Sequence, residues 1–346
     1  MSFLKRLFGR SKPQQEDSIV LPINAGTHVT AQELISLQQQ ARKLDLDRRS
    51  YASASTTGSH RSRFRGRGMD YQESRIYQAG DDIRNMDWRV TARSGKPHTK
   101  LYQEERERPV VLLVDFNPGM FFGSTQSLKS VVAAKTAAII AWAVAARGDR
   151  IGALLINETH HELPPKMGKR GALQLIRELV KHSDPQRGLS ATHSPNGLNE
   201  ELKRLRQLAR PGTMIFLISD FYDINEETSQ HLQRIAQHND IQAIQIVDPL
   251  EITPPPPNHY SVTDGEKTGS LNTRSKKVLK KYESAFSQHH EKLVQLMQRH
   301  AIPLIQLSTA DDLLLKLQQS FGNTKKRANS ISPKMSNTVK NEAKVA

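Results

Sequence analysis

The sequence predicts a doubly wound α/β domain with a mostly parallel sheet over residues 109–321. Three observations carry that expectation. Short apolar runs at 110–114, 151–156 and 214–219 are rich in Val, Ile and Leu, the composition of strands covered on both faces. Amphipathic stretches lie between these runs, long enough to serve as crossover helices. A length of 346 residues supplies ample chain for one such core.

The elements follow in order. Residues 9–28 are polar, with Gly and Pro, and read as a linker. Thr30-Ala31-Gln32-Glu33 has capping-box spacing ahead of Leu34, Leu37, Ala41 and Leu44, which predicts a helix over about 31–45. Residues 52–68 are rich in Ser, Gly and Arg and read as an exposed loop. After the strand at 110–114, a helix is expected from about 128 to 147, closed by Gly148-Asp149. The strand at 151–156 precedes helices at 172–181 and 200–209, and Pro211-Gly212 separates the second of these from the strand at 214–219. A helix at 226–238 and a strand at 241–247 come next. Prolines at 254–257 open a polar insertion to about 275, too proline-rich to continue a strand. A helix at 277–300, a strand at 302–307 and a helix at 311–320 complete the domain. The division is therefore a flexible N-terminus (1–29), an N-terminal extension (30–108), the α/β domain (109–321) and a disordered basic tail (322–346).

Composition narrows the function classes. The chain carries 50 Lys and Arg against 35 Asp and Glu, a net charge of +15. Residues 1–110 hold 20 basic and 13 acidic groups, 111–250 hold 15 and 14, and 251–346 hold 15 and 8. The excess therefore sits on the flanks, around a nearly neutral middle. Cysteine is absent, which excludes a disulfide scaffold, a cysteine nucleophile and thiolate-bound zinc or iron–sulfur centres. This fits a reducing cytosol, and a cytoplasmic location is expected. Phe3, Leu4, Leu7 and Phe8, with Lys5, Arg6 and Arg10 between and after them, have the spacing of a peripheral membrane contact through residues 3–10, or of a frayed terminus. No transmembrane span is expected. The longest apolar run, 131–146, falls short of the roughly 20 residues a bilayer requires and fits a buried helix better.

Enzyme motifs are missing. The sequence has no phosphate-binding loop of the Gly-x-x-x-x-Gly-Lys type and no Gly-x-Ser-x-Gly elbow. His160-His161-Glu162 lacks the spacing of a zinc-protease helix and reads as a solvated strand end, and His289-His290 reads as a solvated helix face.

The most unusual stretch runs from Tyr77 to Arg93. Asp81, Asp82, Arg84, Asp87, Arg89 and Arg93 are interleaved there with Gly80 and with Trp88, one of two tryptophans. Paired carboxylates and guanidinium forks around an aromatic face suit a recognition surface or cleft. They equally suit a salt-bridged loop that docks the extension onto the α/β domain. Arg75-Ile76-Tyr77, Gly80-Asp81-Asp82-Ile83-Arg84, Asp87-Trp88-Arg89, Ala92-Arg93, Glu105-Arg106 and the strand ending in Asp115 together resemble the signature of the bacterial family catalogued as domain of unknown function 58. That resemblance implies a von Willebrand A-like, Rossmann-like α/β fold with β structure in the N-terminal extension. It also implies partnership with a MoxR-type AAA+ ATPase and a chaperone-like part in assembling or maturing client proteins.

Two acids follow buried strands: Asp115, in Asp115-Phe116-Asn117-Pro118-Gly119, and Asp220, in Ser219-Asp220-Phe221. In open α/β sheets ligands gather at this carboxyl rim. The resemblance matches Asp115, Asn117 and Asp220 to the metal-ion-dependent adhesion site of von Willebrand A domains, in degenerate form. Asn117 and Gly119 stand where that site has serines, and Thr159 and Ser190 are only distant candidates for its threonine. Mg²⁺ or another divalent cation is the cofactor such a site would take. Otherwise the two acids cap strand–helix turns.

The expected function is a non-enzymatic protein-interaction module. Two alternatives belong to other classes. Arg61, Arg63, Arg65 and Arg67, beside Phe64 and Tyr71, have the makings of a phosphate-tracking, base-stacking surface for nucleic acid. Asp115 and Asp220 would serve as ligands in a metal-dependent hydrolase.

Overall fold

The computed structural model describes residues 26–44, 46, 69–78, 80–104, 108–157, 160–186, 197–263 and 268–322. The segments 3–10, 61–67 and 323–346, together with Glu105, Arg106, Thr159 and Ser190, lie outside the described residues.

The first helical segment is two short helices rather than one, α1 (Ala31–Ser36) and α2 (Gln38–Ala41), joined at Leu37. Thr30 caps the first by accepting the Glu33 N–H at 3.2 Å. The Glu33 carboxylate pairs with Lys135 at 2.7 Å. Leu34, Ala41, Leu44 and Leu46 are buried in the same core as the central helix of the α/β body. Residues 69–104 carry a two-stranded sheet apart from the main one. In it β1 (Met69–Ile76) and β2 (His98–Glu104) pair antiparallel, and α3 (Trp88–Ser94) lies between them in sequence.

The body then alternates strands and helices: β3 (Val110–Asp115), α4 (Lys129–Ala146), β4 (Arg150–Ile156), β5 (His161–Met167), α5 (Gly168–His182), α6 (Gly197–Leu208), β6 (Met214–Ser219), α7 (Glu226–Ala236), β7 (Asp240–Val247) and α8 (Pro249–Ile252). The proline-opened insertion folds as a hairpin of β8 (His259–Thr263) and β9 (Thr268–Asn272). It is followed by α9 (Lys276–Arg299), β10 (Leu304–Ser308) and α10 (Leu313–Gly322). The main sheet has six strands in the order β10-β7-β6-β3-β4-β5, all parallel except β5, which runs antiparallel to β4. The order reverses at β3, so a topological switch point lies between β3 and β6.

Strand periodicity splits the core in two. On β3, Val110, Leu112 and Val114 face the layer of α1, α2, α4, α5 and α10. Val111 and Leu113 face α6, α7 and α9. Each fully buried Val, Leu or Ile contributes about 1.5–3 kcal/mol of transfer free energy, so this five-residue run anchors both layers. The helix α4 is apolar around its whole circumference and buried on nearly every side. By length and composition it is the one described helix able to cross a membrane, and 83% of that stretch is buried inside the fold. Trp142 ties it to the N-terminal segment by donating its indole N–H to the Leu34 carbonyl at 3.0 Å.

Candidate functional site

The carboxyl rim of the sheet carries four acids, two of which hold one lysine. Asp115 ends β3 and is buried. Its Oδ1 accepts the Asn117 N–H at 2.9 Å, and its Oδ2 accepts the Ser219 hydroxyl at 2.6 Å. The Ser219 oxygen in turn accepts the Phe221 N–H at 2.9 Å, which holds Phe221 in a left-handed turn at φ +56. Asp220, one residue past β6, accepts the Tyr222 N–H at 3.1 Å through Oδ1. Its Oδ2 receives the Lys129 ammonium at 3.0 Å. That Nζ also donates to Glu251 on α8 at 2.6 Å.

Lys129 is 2% exposed, at the first turn of the apolar helix α4. A buried ammonium is tolerable only where carboxylates compensate its desolvation. Burial works to lower its pKa, but Asp220 and Glu251 outweigh burial and raise it to about 12. Asp115 moves the opposite way for a carboxylate. Burial, reinforced by the negative charge of Asp220, pushes it up to about 7, despite the hydrogen bond from Ser219.

Asp248, after β7, is a third strand-end acid, one that the sequence reading missed. It accepts the Ser124 N–H at 2.8 Å, the Thr309 hydroxyl at 2.7 Å, the Leu250 N–H at 2.9 Å and the Ser124 hydroxyl. Burial opposes its ionisation, yet these donors hold its pKa below the usual carboxylate value. The signal that would have found it is the one used for Asp115 and Asp220, an acid directly after a buried strand, here followed by Pro249.

These residues do not fit a divalent cation. Both oxygens of Asp115 and both of Asp220 are engaged by protein donors, and the Asp220 oxygen facing the cluster already holds a positive charge, that of Lys129. Asn117 contributes its backbone N–H to Asp115. At Gly119 an added Cβ would stand 3.2 Å from Asp220 Oδ2, so glycine there leaves room for the carboxylate rather than supplying a missing ligand. In this structure Asp115, Asn117 and Asp220 stand in an acid cluster that holds one lysine, with the carboxylate oxygens committed to protein donors.

Beside the cluster a groove of about 410 Å³ opens between β6, β7 and α9. Asp220 and Glu251 form its charged end, and Tyr222, Tyr282, Phe286 and His289 line the remainder. Tyr222 is 75% exposed. The Tyr282 hydroxyl donates to the Leu250 carbonyl, and burial raises its pKa. Burial lowers that of His289. His290 meets Gln245 at 3.1 Å and stacks on Phe286 at 5.9 Å. The solvated face expected at His289-His290 is therefore turned inward, because α9 must cover the end of β7.

The signature segment is built by capping. Asp81 accepts Arg75 Nη2 at 2.7 Å and the Gln78 N–H at 2.9 Å. Gly80 adopts φ +104, which a side chain would resist, and Tyr77 bonds the Pro97 carbonyl at 2.8 Å. Asp82 accepts the Arg84 N–H at 3.0 Å and caps a 3-10 turn over Ile83–Asn85. Asp87 is buried, caps α3 through the Val90 N–H at 3.1 Å and accepts the Ser74 hydroxyl at 2.7 Å. Among the described residues no ion pair joins Arg84, Arg89 or Arg93 to these acids, so the expected charge network gives way to caps. The three arginines are exposed, as is Trp88 at 67%. The structure does not bring this segment into the rim cluster. Arg61, Arg63, Arg65 and Arg67 lie outside the described residues.

The fold and the rim define a doubly wound α/β module whose switch point carries a charge-neutralised acid cluster beside an open groove. The chain belongs to the family described as "Protein of unknown function DUF58", which matches residues 73–292 of its 346. Uncharacterized proteins of Mycobacterium bovis and Mycobacterium tuberculosis are 27% identical to it over 274 residues, covering 78% of this chain and 84% of theirs. Among solved structures, the conserved hypothetical protein BatB from Bacteroides thetaiotaomicron is similar with a TM-score of 0.41 at 11% identity, over 63% of this chain and 99% of that one. A von Willebrand factor type A protein from Catenulispora acidiphila is similar with a TM-score of 0.31 at 11% identity, over 65% and 44%. The fold assignment rests on the sheet topology itself.

Proposed function

We propose that this chain is a non-enzymatic protein-interaction module whose carboxyl rim receives a segment of a partner protein. The groove carries the proposal. It pairs an aromatic lining, with Tyr222 projecting into solvent, with a charged end whose acids are held in place by Lys129. Such a surface suits an apolar anchor with an adjacent basic or hydrogen-bonding group. The partner that the family resemblance implies is a MoxR-type AAA+ ATPase acting on client proteins in the cytoplasm. The exposed Trp88, with Arg84, Arg89 and Arg93, supplies a second surface for the same assembly or its clients.

The test is a pull-down with the full chain at native level, run in parallel for wild type, Tyr222→Ala with Phe286→Ala, and Asp82→Ala with Asp87→Ala. A MoxR-type ATPase is expected with wild type and should be depleted at least about tenfold by the groove pair, the loss of one or two interface anchors. Equal recovery with the groove pair would remove the groove from the interface.

A further inference from the structure

On the opposite side of the switch point, β5 and α5 bring together three ligand-type side chains that the rim does not use. Glu178 and His182 are four residues apart on α5 and so project from one face. His161, at the start of the edge strand β5, reaches the same place. One ligand atom from each, an imidazole nitrogen or a carboxylate oxygen, lies within 4.8 Å of the other two. Glu178 and His182 are buried, while the His161 side chain is 37% exposed. The two imidazole rings stand 5.3 Å apart between centroids, and Phe116 closes one side at 6.3 Å from His182.

We propose that His161, Glu178 and His182 form a three-ligand site for a transition-metal dication of the zinc class. Two imidazoles and one carboxylate are donors such ions favour and magnesium or calcium do not. The spacing is close to what a metal needs. Two donors bound at about 2.0–2.1 Å in a tetrahedron stand roughly 3.3 Å apart, and His161 Nε2 lies 3.4 Å from Glu178 Oε2. That nitrogen is buried and has no hydrogen-bond partner among the described residues. Glu178 is oriented by Arg177, whose Nε donates to Oε1 at 3.1 Å, and by Lys181, whose Nζ donates to Oε1 at 3.0 Å and to Oε2 at 3.2 Å and would have to swing off Oε2 when a metal binds. The partly exposed side, at His161, leaves the fourth position to water.

A metal there has a structural task. The edge strand β5 contains Pro164 and Pro165, which offer no N–H to its neighbour, and its register with β4 shifts between Ile151 and Ala153. Coordination would pin the start of this strand to α5.

The experiment uses the full chain after chelator treatment, titrated with Co²⁺ and Zn²⁺. Wild type should bind one Co²⁺ with the intense visible d–d bands of a tetrahedral site, Zn²⁺ should displace it, and Zn²⁺ should raise Tm. His161→Ala removes a half-exposed ligand and leaves the core packed. It should weaken binding by at least about tenfold and abolish the bands, and Glu178→Gln should do the same. Mg²⁺ should neither raise Tm nor displace Co²⁺. Absence of tetrahedral bands in wild type would overturn the proposal, as would equal affinity in wild type and in folded His161→Ala, which would mean that another of the 13 histidines is responsible.

Discussion

Removing the Lys129 ammonium leaves two carboxylates, Asp220 and Glu251, facing one another without a cation. Lys129→Met keeps the stem but leaves two part-buried carboxylates without their cation, which should cost about 1–3 kcal/mol, read as a lowered denaturation midpoint at unchanged m-value. Asp115 gives a second test. Its folded pKa, about 7, is above the ordinary 3.8. Its stability contribution is therefore complete below pH 4 and is lost as pH rises toward and through 7. Asp115→Asn cannot ionise, so the variant should show a shallower fall in stability between pH 4 and 8, and parallel curves would refute the assignment. The sequence revealed both acids of the switch point, because an acid ending an apolar run is visible without a fold. It concealed Lys129, which looks like any polar residue at the head of a helix until α8 brings Glu251 over it. His160 and His161 do lie at a part-exposed strand end, but their partners stay hidden from the sequence for a related reason. Each imidazole meets a buried glutamate, Glu201 on α6 for His160 and Glu178 on α5 for His161, and nothing local announces those partners.

Elements with strong periodicity lie where the sequence puts them. The strands at 110–115 and 214–219 and the helix α4 differ from expectation by a residue or two at most, since a buried apolar run has few other places to go. The failures share a cause. The strand β5 reads His-Glu-Leu-Pro-Pro-Lys-Met, without β-branched residues, and only its position on the sheet edge makes the prolines tolerable. The hairpin β8–β9 follows four prolines and pairs only with itself. The cap at α3 is a testable case at this scale. Asp87 accepts bonds from Ser74 and Val90, and these, led by the Ser74 hydroxyl, lower its pKa. The bonds persist at neutral pH and are lost as acid protonates the carboxylate. Asp87→Ala should speed amide exchange across Trp88–Ser94 while leaving the protected amides of β3 and β6 unchanged; uniform acceleration would mean that α3 and the main sheet open as one unit.

Across the whole molecule, the charge of +15 divides into basic flanks around a body close to neutral, and much of the flanking charge lies outside the described residues. The described residues offer two separate surfaces, the groove at the carboxyl rim of the body and the exposed Trp88 with its arginines on the preceding segment. The small β1–β2 unit leads into the body at the other rim. There the Arg108 side chain donates to the Gly212 carbonyl at 3.2 Å and pairs with Asp240, and its backbone N–H donates to Asp149 Oδ1 at 3.1 Å. This arrangement has a mechanical consequence. Traction applied to the groove while the β1–β2 unit is held would run lengthwise along β3 and its parallel neighbours β4 and β6, shearing a whole ladder of evenly spaced bonds at once instead of unzipping them singly. A motor that hauled on one end would meet a stiff strut.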